Sequence, residues 1–365
     1  MYKDISNVLV ESPKLKGRQI AKKLGLNKTE VNSYMHKNKD KFSKDENDCW
    51  VVNQLDSFTL TFLPKWMTAN DFESVISELS NVDFDTVKTL TIIIPKDCSM
   101  LLIVIARLLS WLNQLADKEI SVTVDLSSCS RTRSFFNRTG FYDCLNEDVV
   151  VLPNRPKKSL AKLLHGNSDT LVEFGVIEPV SRNKELIKRL GDIFIHHSSK
   201  EYATPAKTVF SEMIGNVKEH SESNIAGFSA LQKYEGRRKH IQIVISDSGL
   251  GVAATLRTTL KEYHPKLFKR LKENTLENDI ELVKQAFTTG GISRYGSGRG
   301  LGFKSSREHA TKNSTIISIR QTTFNIEFNY VDGELIDIST QKELLHIDGT
   351  HICFDFFVEK TDKMI

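Results

Sequence analysis

Glu212, Asn216 and His220 recur every fourth residue in FSEMIGNVKEHS (residues 210–221). On a helix that spacing puts all three on one side. Phe210, Met213, Ile214 and Val217 give the same helix an apolar face. A carboxylate and an amide so placed suit two tasks. Asn216 can ligate Mg²⁺, which prefers hard oxygen ligands and keeps several waters. Glu212 can orient or deprotonate an attacking water or hydroxyl. The same spacing also describes a solvated polar helix face.

Two further signals follow in order. IQIVIS (residues 241–246) is a β-branched, strand-like run that ends in Asp247-Ser248-Gly249-Leu250-Gly251. An aspartate at a strand end can accept a hydrogen bond from an exocyclic amine such as that of adenine. Gly249 and Gly251 let the backbone approach a flat ligand. The third signal is Gly296-Ser297-Gly298-Arg299-Gly300-Leu301-Gly302, which runs into the helix-like FKSSREHA. A glycine-rich loop feeding a helix N-terminus is an anion cradle, since free N–H groups and the helix dipole face a phosphate. It lacks the GK[ST] ending of a P-loop, and it does not follow the first strand of a βαβ unit as a dinucleotide fingerprint does.

This order of boxes resembles the GHKL superfamily of gyrase, Hsp90, histidine kinases and MutL. FSEMIGNVKEHS resembles the N box, DSGLG the first glycine box and GSGRGLG the second; Gly349-Thr350 before ICFDFFV resembles the late phosphate-contacting Gly-Thr. The resemblance covers roughly residues 171–359. It implies a Bergerat α/β sandwich that binds ATP and Mg²⁺, with a mobile lid between Phe287 and Gly298. By match, Asn216 holds Mg²⁺, Glu212 is the base and Asp247 reads adenine. His220, Gly249, Gly251, the 296–302 loop and Thr350 join the nucleotide site. Thr288, Thr289, Ser293 and Arg294 sit where a lid offers hydroxyls and a cation to phosphates.

The elements that must position these residues read as an α/β multidomain chain. Its 365 residues, 39% hydrophobic and 26% charged, fit two or three globular domains. The expected division is 1–54, 55–155, a linker at 156–170 and the ATPase unit at 171–365. Residues 1–54 read as two helices after a short first one, then a hairpin, and resemble a winged helix-turn-helix. Residues 1–52 hold eleven Lys/Arg against seven Asp/Glu, so the whole formal excess of +4 sits there. Lys28, Ser33, Tyr34, His36 and Lys37 could touch DNA, or the segment could dock a protein with a merely solvated basic face. Residues 55–155 alternate strand and helix, which argues for an α/β layer. The pattern, with RSFFNRTGFYDCL, resembles a STAS domain, and Ser99 falls where phosphorylated relatives carry a serine. Its simpler reading is a helix N-cap. His196 and His197 lack the context of a histidine-kinase acceptor and read as a helix-surface or partly buried pair.

Five scattered cysteines without metal-ligand spacing, no membrane-length apolar run and no signal-peptide core are the expectation for a cytoplasmic chain. The expected activity is Mg²⁺-dependent ATP hydrolysis that closes a lid and changes how the other modules engage a protein partner or DNA. Two alternatives stay open. One is a Ser/Thr protein kinase of the anti-sigma-factor type, since those also carry glutamate and asparagine four apart. The other is a DNA-binding regulator with ATP as allosteric ligand. An ATP-dependent homodimer belongs to what the resemblance implies, although no heptad is visible.

Overall fold

Pro13 and Gly25 cut the N-terminal segment into short helices: α1 (Tyr2–Glu11), α2 (Gly17–Leu24) and α3 (Lys28–Lys37), then a hairpin of β1 (Phe42–Lys44) and β2 (Trp50–Val52). The computed structural model describes residues 1–365 except 40, 53–55, 179–182, 199–202, 221–222, 237, 290–291, 293–313 and 358–365, and except the side chains of 2, 3, 10, 203–206 and 218–220. Gly25 takes the left-handed conformation that ends α2. Asn27 accepts the Thr29 amide at 2.8 Å and starts α3. Ile20, Val31, Met35, Phe42 and Trp50 are buried together. Met1–Phe58 and Val82–Leu90 form one compact unit; Thr59–Asn81 and Thr91–Ile365 form the second. The chain is an α/β protein with parallel and antiparallel sheets, 40% helix and 26% strand.

The next stretch alternates as its sequence pattern predicts: β3 (Ser57–Thr61), β4 (Trp66–Met67), α4 (Ala69–Ile76), β5 (Thr89–Ile93), β6 (Ser99–Met100), α5 (Leu102–Asp117), β7 (Ser121–Asp125), α6 (Ser130–Thr139), α7 (Phe141–Cys144) and β8 (Val150–Leu152). A four-stranded sheet has the order β3-β5-β7-β8, and β7 runs parallel to β8. The 156–170 segment contains α8 (Leu160–Leu163), whose Leu160 amide donates to Asn137 Oδ1 of α6 at 3.0 Å.

The C-terminal half follows: β9 (Leu171–Ile177), α9 (Lys184–His197), α10 (Ala203–His220), β10 (Gly227–Tyr234), β11 (His240–Ser246), α11 (Val252–Arg257), α12 (Leu260–Tyr263), α13 (Pro265–Arg270), α14 (Leu276–Thr288), β12 (Thr315–Arg320), β13 (Asn325–Val331), β14 (Glu334–Gln341) and β15 (His351–Phe357). The sheet order is β14-β13-β12-β15-β11-β10-β9, antiparallel at every pairing. Period-two alternation gives this sheet two faces. Ile243, Ile245, Ile317, Phe328 and Phe354 face the first, packed with Phe194 of α9, Phe210 and Met213 of α10 and Phe287 of α14. The second face carries Gln242, Ser246, Ser318, Arg320, Asn325 and His351, all buried.

Helix α5 covers that polar face. Of its sixteen residues only Ala116 and Asp117 are not buried. Polar side chains on a helix enclosed all round are costly unless they are hydrogen-bonded. Arg107 donates to Glu73 Oε1 of α4 at 2.9 Å, to Ser318 Oγ at 3.0 Å and to Asn325 Oδ1 at 2.9 Å. Arg320 of β12 donates to the same Glu73 oxygen at 2.9 Å and to the backbone carbonyls of Gln321 and Leu345. Glu73, Arg107 and Arg320 are at most 4% exposed. Burial pulls the Arg107 guanidinium below its ordinary value, and Glu73 opposes that pull. This cluster fixes α4 and α5 to the seven-stranded sheet. Among the described residues, no helix is long and apolar enough to cross a membrane.

Ser99 does not cap α5. It lies in β6, opposite Trp66 of β4, and its amide donates to Lys65 O at 3.0 Å. The helix starts after Leu101. Its first free amides are met by the seven-stranded sheet: Leu102 N–H donates to Tyr234 Oη at 2.8 Å and Ile103 N–H to Gln242 Oε1 at 3.4 Å.

Candidate functional site

The helix that carries Glu212 and Asn216 forms where the sequence pattern puts it. Val209, Phe210, Met213, Ile214 and Val217 of α10 are buried in the core, while Glu212 and Asn216 stay half-buried. α10 runs through His220, whose side chain lies outside the described residues. Gly227 at the start of β10 marks the meeting of α10 with the end of β11. A Cβ there would stand 2.5 Å from Val217 Cγ1 and 2.8 Å from Ser246 O.

β11 delivers Asp247 to its own end, next to the start of β15. The Asp247 amide donates to Thr350 O at 3.0 Å, and its Oδ1 accepts the Gly249 N–H at 2.8 Å. Asp247 is 7% exposed. Burial pushes its carboxyl up to about 6, against the backbone hydrogen bonds of Gly249 and Thr350. Two glycines permit this approach. Gly349 has φ 96°, and a Cβ on it would fall 2.0 Å from Asp247 O. Gly251 has φ 81°, and a Cβ there would meet Gln321 Oε1 at 2.9 Å. The structure thus brings Asp247, Gly249, Gly251 and Thr350 together at the ends of β11 and β15.

Other expected site residues are not gathered there by any described contact. Thr288 closes α14 and donates its hydroxyl to Lys284 O at 2.7 Å; Thr289 is exposed beyond it. Gly296, Ser297, Gly298, Arg299, Gly300, Leu301 and Gly302, with Ser293 and Arg294, lie outside the described residues. His196 and His197 end α9. Lys233 Nζ lies 3.1 Å from His197 Nδ1, which therefore accepts, and Nε2–H donates to Asp169 O at 2.5 Å. Asp169, His196 and His197 bring one ligand atom each within 4.8 Å of one another. These hydrogen bonds tie the His197 ring to β10 and to the segment before β9, while His196 is exposed and packs edge-on against it.

Sequence reading misses two residues that build the site. Gln321 Oε1 accepts the Val252 N–H at 2.7 Å and so anchors the start of α11 directly after Gly251. Gln114 of α5 donates to Ser248 Oγ and Asp348 O, both at 2.9 Å, and accepts the Asp348 N–H at 2.8 Å. Neither glutamine belongs to a motif. For Gln114 the available signal is a polar residue inside an apolar helix, which needs partners when buried; Gln321, just after β12, carries no such signal. Neither a protein-family profile nor a curated protein matches the chain.

Proposed function

We propose that residues 171–365 form a GHKL-type ATP pocket on a Bergerat sandwich, and that the chain is an ATPase acting as a nucleotide-dependent switch. The observation that carries this reading is the junction of Asp247, Gly249, Gly251 and Gly349-Thr350 at two adjacent strand ends. A buried aspartate whose described hydrogen bonds come from backbone amides suits a neutral amine donor such as that of adenine. Gly251 and Gly349, both at positive φ, let the two strand ends close on each other around that carboxylate.

The half-buried amide of Asn216 is a hard oxygen donor on the same helix side as Glu212. That donor set fits Mg²⁺, which takes few protein ligands and shares phosphate oxygens. When bound, the ion neutralises charge on the phosphates. Glu212 orients the attacking water and takes its proton. Asp247 fixes the base, and the 296–302 loop supplies amides and Arg299 to the phosphates.

The four-stranded layer, proposed as STAS-like, and the winged-helix-like Met1–Phe58 segment are the modules through which occupancy reaches partners. Lys28, Ser33, His36 and Lys37 are exposed on α3 and form the proposed DNA-facing side. Titration of the full chain with ATP and Mg²⁺ tests the pocket. Saturable binding that Asp247→Ala abolishes supports it, and ATP binding equal in both proteins refutes the assignment.

A further inference from the structure

Gln114 sits near the C-terminal end of α5 and is 5% exposed. Its side-chain amide makes three hydrogen bonds, all to two short segments of the candidate pocket. Ser248 directly follows Asp247, and Asp348 directly precedes Gly349. The two segments touch each other through Asp247 N–H and Thr350 O. One buried amide therefore ties both loops to a rigid helix. The adjacent Asn113 points elsewhere: its Nδ2 donates to Cys144 O at 2.9 Å and its Oδ1 accepts Asn146 N–H at 2.8 Å, both beyond α7 or at its end.

We propose that Gln114 is a positioning residue of the ATP pocket, holding loops 247–251 and 348–350 in register and coupling their occupancy to α5. This rests on the nucleotide reading above. A ligand held by the Asp247 carboxylate orders the two segments that Gln114 holds. By linkage, whatever orders Gln114 and α5 also favours the ligand. The coupling runs through direct hydrogen bonds in a buried setting, where losing a partner strands the others.

The test uses the full chain, ATP with Mg²⁺, isothermal titration, and amide exchange of α5 with and without nucleotide. Gln114→Leu keeps the volume and removes the hydrogen bonds. Its ATP affinity is expected to fall about tenfold. ATP slows exchange in the last turns of α5 in the wild type, and this protection disappears in Gln114→Leu. Asn113→Ala, equally buried on the same helix, keeps wild-type affinity. Adding Ser248→Ala to Gln114→Leu costs nothing further, because the two share one interaction. Should Gln114→Leu not fold, Ser248→Ala alone decides: reduced ATP protection of α5 supports the coupling, and unchanged protection overturns it. Wild-type affinity and protection in Gln114→Leu overturn the coupling while leaving the pocket intact. A wild-type chain that binds no ATP overturns the nucleotide reading, and the coupling with it.

Discussion

The backbone N–H of Asp247 donates to the carbonyl of Thr350 at 3.0 Å. This bond continues the β11–β15 ladder, in which Ser246 pairs with His351, one residue past the end of both strands. It forces Gly349 into a conformation and a contact that only glycine tolerates. The Asp247 carboxyl beside it is buried and accepts the Gly249 N–H.

Asp247 is expected to trade stability for binding. Its folded value, about 6, lies above the ordinary value of 3.8. The protonated form is therefore the one the fold favours. That contribution is complete below the unfolded value and is lost as pH rises through 6. Asp247→Asn should stabilise the free chain at pH 8 by about 1–3 kcal/mol, read from urea denaturation. The same substitution should abolish ATP binding. In the wild type, ATP affinity should weaken as pH falls below 6, because the ionised carboxylate is the stronger acceptor.

Glu73 is the single carboxylate between Arg107 and Arg320 in their described ion pairs. Glu73→Gln leaves two buried guanidinium groups without a counter-charge. The expected loss is about 3–5 kcal/mol, seen as a lower urea midpoint. Replacing all three residues together with apolar side chains of similar volume should restore much of it.

His351 should shape the acid limb. Burial, with Arg320 and Arg107 nearby, pulls its imidazole down to about 3 from the ordinary 6.5. The unfolded chain takes up this proton first, so stability falls as pH drops from 6.5 toward 3. Over that window the effect is opposite in sign to that of Asp247. His351→Gln should reduce the loss of stability between pH 6.5 and 4, measured by thermal unfolding across a pH series.

Much of this architecture was legible in the sequence. β-Branched alternation located β11, β12, β13 and β15. The apolar row Phe210–Met213–Ile214–Val217 located α10 and, with it, the side that bears Glu212 and Asn216. Asn27 announced the start of α3. What stayed hidden was long-range. A polar row such as Gln242, Ser318, Arg320 and Asn325 looks like a solvated face, because alternation reports two faces and not what covers the second. The covering helix α5 carries Arg107, Asn113 and Gln114, whose partners lie in distant segments. Ser99 looked like a cap because serine before an apolar helix usually is one; β4 captures it instead.

The exposed side of α3 should carry any DNA affinity. Lys28→Ala with Lys37→Ala should weaken binding to duplex DNA irrespective of sequence and lower the salt slope by about 2. Fluorescence anisotropy at several salt concentrations reads both quantities.

The most direct measurement is thin-layer separation of labelled ATP after incubation with Mg²⁺ and either the wild-type chain or Glu212→Gln. The predicted result is slow release of free phosphate by the wild type. Glu212→Gln should be slower by about 100-fold or more while still retaining bound ATP. Phosphate release undiminished in Glu212→Gln, or label transferred to protein in place of water, would contradict the account of this chain as a Glu212-dependent ATPase.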